Sequence, residues 1–257
     1  MQNSINKRYF INSLARGIKL LEKMADAAVP LTLSQVAEAM GVTLPTAYRF
    51  LYTLQAIELI EKEPDRKAYR ITPKVLKLGY GAFKSSELWD TAHHHLVRAS
   101  QKYGETFNLA VLEDDQILYI DRVKTQSILS INLEIGSKLP AYCTSMGRVL
   151  LAWLPMEEAR RRLRRTPREK HTGDTVTDLD KLETILAHVR RSGFAVNNGE
   201  LAPELSSAAA PVLNRQGKAV AALNMAVNAA RHDKDYLLKV MVPAVVQCAD
   251  LISSAMG

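Results

Sequence analysis

Two short helical patterns joined by a glycine most constrain how this chain can fold. Apolar residues recur at three- and four-residue steps over residues 32–40 and again over residues 43–57. Gly41 between them permits a turn that other residues resist. Thr32 is a suitable N-cap for the first helix, and Pro45 falls in the first turn of the second, where a missing N–H costs no hydrogen bond. The spacing predicts a helix-turn-helix.

Further elements flank this pair. The pattern over residues 13–28 predicts a preceding amphipathic helix with Ser13 as its N-cap. Two strand-like runs, residues 59–63 and 68–71, follow and are separated by the basic turn Pro64-Asp65-Arg66-Lys67. Residues 1–72 are therefore predicted to form a winged helix-turn-helix. We expect its third helix to bury Ala47, Phe50 or Leu51, Leu54 and Ile57.

Positive charge is concentrated in this first part of the chain. Residues 1–84 contain 13 Lys or Arg and 7 Asp or Glu, a net charge of +6, out of +7 for the whole chain. A basic module joined to a nearly neutral remainder is typical of proteins that bind nucleic acid, although chance clustering of charge is an alternative.

A winged helix-turn-helix places the N-terminal part of its third helix in the major groove of duplex DNA. On that model the DNA-facing side chains of the helix are Thr43, Thr46, Tyr48 and Arg49, and those of the hairpin tip are Arg66 and Lys67. Arg49 is the candidate for a bidentate contact to guanine or phosphate. The alternative is a plain three-helix core that contacts other proteins.

The rest of the chain is predicted to form a helical linker, residues 73–103, followed by a domain of helices and strands, residues 104–257. Strands grouped between helices, rather than alternating strictly with them, predict an α+β domain with a mostly antiparallel sheet. Strands are predicted at residues 106–113, 117–123, 128–133, 194–197, 208–213 and 219–227, and helices at residues 144–154, 156–165, 179–192 and 233–254.

Several polar residues in this domain lie where an apolar interior is expected. Thr106 and Asn108 make one side of a strand polar, and Asn224 interrupts an apolar strand. Thr144 and Ser145 begin a helix whose free N–H groups favour a carboxylate. Ordinary capping and hydration are the alternative roles. Arg122, Lys138 and Arg148 are candidate carboxylate counter-ions, with surface solvation as the alternative for each.

The sequence argues against several other classes of protein. It has two distant cysteines and no motif typical of nucleotide-binding, metalloprotease or α/β-hydrolase enzymes. His93, His94 and His95 point in different directions on a helix, so we expect neither a metal site nor a cofactor. With no signal peptide or ~20-residue apolar span in evidence, a cytoplasmic protein is expected.

Five segments resemble the IclR family of bacterial transcription regulators. They are SLARGIKLLE from Ser13, LSQVAEAMG from Leu33, PTAYRFLYTL from Pro45, YCTSMGRVLLA from Tyr142 and GKAVAALN from Gly217. Three more, beginning at Ser86, Gly104 and Ile135, are similar to the subgroup that controls aromatic-acid catabolism through the β-ketoadipate pathway, the PcaR, PcaU and PobR regulators.

The resemblance implies a GAF-like effector-binding domain, a homodimer or dimer of dimers on promoter DNA, and an effector such as protocatechuate, 4-hydroxybenzoate or β-ketoadipate. RNA polymerase is a further candidate partner, and the subgroup favours an activator. By position, the family's effector contacts fall on Ser145, Met146, Asn197, Ser207, Asn224 and Ala226. Some members have an acidic residue at the position of Asn197 and a cysteine at that of Ser207, so this chain departs from them within the expected effector site.

Two other functions remain as alternatives at this stage. One is a small-molecule enzyme of the α+β class with an accessory basic domain, because catalytic residues brought together only in space leave no local motif. The other is an architectural DNA-binding protein without a ligand. That alternative leaves more than 150 residues of neutral domain without a purpose.

Overall fold

The structure, a computed structural model, describes residues 8–27, 29–84, 87–125 and 133–256. The chain divides into two compact units, Met1–Ser85 and Ser86–Gly257. Each unit has its own buried core. The finer division into a DNA-binding domain, a linker and an effector domain stays a prediction.

Over its described residues, the N-terminal unit contains four helices and a small antiparallel sheet. The helices are α1 (Asn12–Asp26), α2 (Leu33–Met40), α3 (Leu44–Ala56) and α4 (Lys74–Lys84), and the strands are β1 (Leu31–Thr32), β2 (Ile60–Glu63) and β3 (Ala68–Ile71). β3 lies between β1 and β2. The helix-turn-helix and the wing therefore occur in the predicted order. β1 was not predicted, because a strand of two residues is too short to show an alternating pattern.

Local interactions explain the turn between α2 and α3. Thr32 and Gln35 form a capping box at the start of α2, in which Gln35 Oε1 accepts the Thr32 N–H at 2.9 Å. Gly41 ends α2 with φ of 60° and ψ of 44°, a left-handed conformation that glycine adopts without steric cost. The core between the helices includes Val36, Ala37 and Leu51, all buried.

Two expectations for this unit are wrong. Ser13 is not an N-cap, because α1 begins at Asn12 and Ser13 already has helical backbone; Ile11 occupies the cap without a side-chain hydrogen bond. Ile57 is 49% exposed rather than buried, because α3 ends at Ala56 and Ile57 leaves the helical register as the C-cap.

The described part of the C-terminal unit is a six-stranded antiparallel sheet between two layers of helices. Its strands are β4 (Thr106–Glu113), β5 (Gln116–Val123), β6 (Lys138–Pro140), β7 (Ala195–Asn198), β8 (Leu205–Leu213) and β9 (Ala219–Asn228), in the order β6-β5-β4-β9-β8-β7. The longer α-helices are α5 (Glu87–Tyr103), α6 (Ser145–Ala152), α7 (Met156–Arg165), α8 (Leu179–Ser192) and α9 (Val242–Ala255), the last preceded by a helical turn, Lys234–Tyr236, and a π-helix, Leu237–Met241. This arrangement confirms the α+β prediction. Residues 128–132 of the strand predicted at 128–133 lie outside the described residues.

The two helical layers cover opposite faces of the sheet. α5 and α9 pack on one face, with side chains such as Phe107, Leu223 and Ile252, while α6, α7 and α8 pack on the other with Ala110, Ala209 and Ala222. Small residues on the second face let α6 lie close to the strands.

Among the described residues, one helical stretch, Leu237–Ala255, is long and apolar enough to cross a membrane by length and composition alone. The expectation that no segment reaches this length was therefore wrong. Val245, Cys248 and Ile252 of this stretch are buried in the core against the sheet, as in a core helix of a globular protein.

A β-bulge separates the two ends of β5. Leu109 pairs with Asp121 but its neighbour Ala110 pairs with Tyr119, so Ile120 is an extra residue. The extra residue reverses which face each later side chain of β5 occupies. Asp121 consequently lies on the α5 face, where its Oδ2 is 2.8 Å from His93 Nδ1.

Candidate functional site

The N-terminal half of α3 presents a polar, exposed surface. Thr43, Tyr48 and Arg49 are exposed, and Thr46 is half-buried with its hydroxyl 3.0 Å from that of Thr43. α3 buries its opposite side, through Ala47, Leu51 and Leu54. The predicted DNA-facing residues of this helix therefore share one accessible side.

Arg16 of α1 lies beside this surface and was not predicted as a site residue. It lines one shallow depression together with Thr46 and Arg49. Its position in an amphipathic helix outside the helix-turn-helix pattern gave no sequence signal for this role. The depression places two guanidinium-bearing side chains where a phosphate could bind.

The wing has an exposed, basic tip. Arg66 and Lys67 are both exposed between β2 and β3, and Lys67 adopts a φ of 50°, so that the chain reverses within a tight turn. Arg70, farther along β3, pairs instead with Glu61 at 2.6 Å. Lys67 and Arg66 are thus the cations at the tip of the hairpin.

In the C-terminal unit, the predicted effector residues of the sheet share one face, the one covered by α6. We call the six predicted effector residues that lie on the strands the polar face. Strand register places Thr106 opposite Ala226, Ala226 opposite Ser207 and Ser207 opposite Asn197. One step along, Asn108 lies opposite Asn224. The polar face consists of Thr106, Asn108, Asn197, Ser207, Asn224 and Ala226, all of them buried.

Hydrogen bonds connect this face internally and to α6. Asn108 Nδ2 donates to Asn224 Oδ1 at 2.7 Å, so the amide that interrupts β9 has a protein partner. The hydroxyls of Ser145 and Ser207 lie 2.8 Å apart. Ser145 and its neighbour Met146 are buried at the first turn of α6. The structure therefore brings Ser145, Met146 and the polar face into one buried region.

Thr144 acts as the N-cap of α6. Its Oγ1 accepts the Gly147 N–H at 3.2 Å and donates to the Pro140 carbonyl at 3.1 Å. Gly147 must be glycine, because a Cβ there would lie 2.3 Å from both Cα and O of Ala141. The start of α6 is thus held tightly against the preceding turn, and the Thr144 hydroxyl has no proton left to donate.

The three candidate counter-ions have different environments. Arg148 is 3% exposed and pairs with Glu200, so the surface-solvation alternative is wrong for this residue. Lys138 is a surface residue that pairs with Glu113 at 3.1 Å. Arg122 lies opposite Asn108 on the α6 side of the sheet.

The reactive side chains of Cys143, His93 and His94 are buried or held by protein contacts. Burial raises the pKa of the Cys143 thiol to about 11, which disfavours the nucleophilic thiolate. His93 contacts Asp121 and His94 contacts the Asp90 carbonyl, so the neighbouring histidines do not converge. Within the described residues, no group of three or more His, Cys, Asp or Glu side chains has a geometry that could hold a metal ion.

Two family models match the chain. The model described as the IclR helix-turn-helix domain matches residues 13–64, and the one described as the C-terminal part of bacterial transcriptional regulators of the IclR type matches residues 80–254. Together they span both structural units.

Individual proteins are similar over nearly the whole length. The Pca regulon regulatory protein of Pseudomonas putida is 34% identical over 250 residues, covering 96% of this chain and 85% of the relative. The p-hydroxybenzoate hydroxylase transcriptional activator of Acinetobacter baylyi is 28% identical over 246 residues, covering 94% and 90%. The crystal structure of an IclR transcriptional regulator from Alicyclobacillus acidocaldarius superposes with a TM-score of 0.85, at 27% identity over 97% of this chain and 100% of that one.

Proposed function

This chain belongs to the IclR family of bacterial transcriptional regulators, and we propose that it activates genes of aromatic-acid catabolism when a small organic acid binds its C-terminal unit. The family is one of DNA-binding regulators, so the enzyme alternative is set aside. The observation that carries the proposal is the buried polar face beneath α6, because a core that needed only stability would be apolar.

DNA binding is assigned to the exposed side of α3 and the wing tip. Thr43, Thr46, Tyr48 and Arg49 enter the major groove, and Arg66 and Lys67 contact the backbone or minor groove. Arg49 makes the bidentate contact to guanine or phosphate. Their exposure and the net charge of +6 in residues 1–84 support this assignment.

The effector is protocatechuate, 4-hydroxybenzoate or a related acid such as β-ketoadipate. Two relatives are named for the Pca regulon and for p-hydroxybenzoate hydroxylase, which supports an acid from aromatic catabolism. Ser145, Met146, Thr144 and the polar face line its binding site in this proposal. Hydroxyl and amide groups there match the oxygens of such acids.

Regulation follows a two-state scheme. Effector binding closes the C-terminal unit and shifts the segment that includes α4 and α5, which sets the spacing of two winged helices in a homodimer or dimer of dimers. The bound DNA is a palindromic promoter in the cytoplasm, and the activator contacts RNA polymerase there.

The proposal is tested by fluorescence anisotropy of the protein on labelled DNA from upstream of its own gene and the neighbouring genes. Titrations are run with and without protocatechuate, 4-hydroxybenzoate, β-ketoadipate and benzoate, at two salt concentrations. We expect tight, salt-dependent binding that one acid changes at least several-fold. Specific binding that no acid affects would overturn the effector assignment, and binding only at the non-specific level would overturn the promoter assignment.

A further inference from the structure

We propose that Arg122 is the carboxylate anchor of the effector site, and that the effector is a hydroxylated acid with a single negative charge. This inference rests on the proposed function and narrows it. Arg122 lies outside the positions that the family resemblance marks, on β5 rather than on α6, β7, β8 or β9.

The β-bulge puts Arg122 on the polar side of the sheet. Regular alternation from Tyr119, which packs on the α6 face, would place Arg122 on the α5 face. The extra residue Ile120 reverses this, and Arg122 comes to lie directly opposite Asn108. Side chains of directly opposed residues project from the same face, about 5 Å apart at Cβ. The guanidinium therefore extends the row formed by Asn108 and Asn224.

Several buried polar atoms around Arg122 lack hydrogen-bond partners. Among the described residues, Arg122 Nε and Nη1, Asn108 Oδ1 and Thr125 Oγ1 are buried without a hydrogen bond. Asn108 is only 2% exposed, so its carbonyl oxygen is deep in the protein. Buried polar atoms without partners are rare because each one costs free energy. Three such atoms on the adjacent strands β4 and β5, and a fourth two residues beyond the end of β5, indicate a site built for a ligand.

Nearby acids do not neutralise Arg122. Asp121 faces the opposite side of the sheet, where it contacts His93 at 2.8 Å, and it only accepts the backbone N–H of Arg122. The carboxylate of Glu134 pairs with Lys124, with Oε1 2.5 Å from Nζ. Burial lowers the pKa of the Arg122 guanidinium, and the smaller opposing influences of Tyr119 and Glu134 do not offset it. A carboxylate is the group that matches this cation best.

The other end of the site favours a neutral group. Ser145 and Ser207 lie by β8, three strands from β5, which corresponds to ~14 Å between backbones. A backbone separation of this size is comparable to the length of an arginine side chain and one small acid together. The buried cation of α6, Arg148, already pairs with Glu200. Thr144 also already caps the Gly147 N–H, so the start of α6 is a weaker anion site than the sequence alone suggests. We therefore infer that the serine hydroxyls bind a hydroxyl group better than a second carboxylate, which favours 4-hydroxybenzoate or protocatechuate over β-ketoadipate.

The test compares three probes by isothermal titration calorimetry on the full chain: 4-hydroxybenzoate, its neutral analogue 4-hydroxybenzamide, and the dianion adipate. For the wild type we expect 4-hydroxybenzoate to bind at least 10-fold more tightly than either of the others. Arg122→Gln should lower the affinity for 4-hydroxybenzoate by about 10- to 100-fold, the effect of losing one charge-assisted interaction. Its affinity for 4-hydroxybenzamide should change by less than about 3-fold. Lys138→Gln removes an exposed cation on β6 and should leave the affinities for 4-hydroxybenzoate and 4-hydroxybenzamide unchanged.

Arg122→Lys provides a variant that keeps the charge if Arg122→Gln unfolds. It should retain a preference for the acid over the amide, reduced by the loss of the bidentate geometry. An unchanged acid-to-amide ratio in Arg122→Gln, or loss of the preference in Arg122→Lys with the fold intact by circular dichroism, would overturn the anchor. Tighter binding of adipate than of 4-hydroxybenzoate would overturn the single-charge class while leaving the proposed function standing. A wild type that binds none of the acids tested would overturn both.

Discussion

Arg148 and Glu200 form a buried, two-pronged ion pair, with Nη1 to Oε1 at 2.5 Å and Nη2 to Oε2 at 2.7 Å. Arg148 Nε also donates to the Tyr142 carbonyl, and Glu200 Oε2 accepts the Val176 N–H. The pair thus ties α6 to the turn before it and to two loops. It forms a scaffold behind the proposed effector site.

Removing one partner of this pair should strongly destabilise the C-terminal unit. Arg148→Met leaves the Glu200 carboxylate buried and unpaired, and we expect the free energy of unfolding in urea to fall by ~3–5 kcal/mol. Arg161→Met is the control, because Arg161 pairs with Glu158 at the surface and such pairs contribute ~0–1 kcal/mol. Equal effects of the two substitutions would contradict the structural role of the buried pair.

Gly147→Ala should disturb the start of α6. The new methyl group would lie 2.3 Å from the Ala141 backbone, so helix and turn must separate, at a cost of ~1–3 kcal/mol of unfolding free energy. Gly173→Ala in the same unit is the matched control, because its Cβ meets nothing within 4 Å. Thermal unfolding of both variants measures the difference, and a stable Gly147→Ala protein would argue against the tight packing.

Arg49→Ala should weaken binding to a specific promoter by ~1–3 kcal/mol and leave the fold intact. Arg49 is exposed and makes no contribution to the core. Anisotropy on specific and scrambled DNA measures the effect, with exposed Gln55→Ala at the other end of α3 as the control. Unaltered affinity for the specific site would remove Arg49 from the set of base-reading residues.

Replacing both Arg66 and Lys67 with alanine should weaken binding to all DNA sequences alike. If each contacts one phosphate, the slope of log affinity against log salt should decrease in magnitude by ~2. Arg164→Ala with Arg165→Ala removes the same charge from α7 of the C-terminal unit and serves as the control. A slope equal to that of the wild type would mean that the wing does not contact DNA.

Ser145→Leu should abolish the response to the effector while DNA binding persists. Ser145 is 1% exposed and contacts Ser207, so a larger apolar side chain fills the site and removes a hydrogen-bonding hydroxyl. Ser145→Ala removes the hydroxyl alone and should give an intermediate loss. Anisotropy with and without the activating acid distinguishes the variants, and a full response in Ser145→Leu would mean that the effector binds elsewhere.

The helices and most strands could be predicted from sequence because their apolar residues repeat with a clear period. β1 and β6 could not, since two or three residues are too few to show alternation. The error at Ile57 has the same origin as the error at Ser13, because a periodic pattern does not mark the residue at which a helix begins or ends.

The polar residues of the candidate site could be predicted, but their partners could not. Asn108 and Asn224 are 116 residues apart in the chain, and Arg148 and Glu200 are 52 apart. Composition and period carry no information about which distant charge a buried cation meets. Arg148 therefore appeared in the sequence as a free counter-ion, whereas the structure gives it a permanent one.

The extra residue in β5 determines on which face of the sheet each of two neighbouring charges lies. Asp121 and Arg122 are adjacent, yet they carry opposite charges to opposite faces of the sheet. If β5 paired without the bulge, with Ile120 opposite Leu109, every side chain of the site would still be present but these two charges would be exchanged, with a carboxylate opposite Asn108 and a guanidinium on the α5 side. Relatives that keep these residues but pair β5 without the bulge would then differ in the sign of the ligand they accept, even if every other position of the polar face were identical.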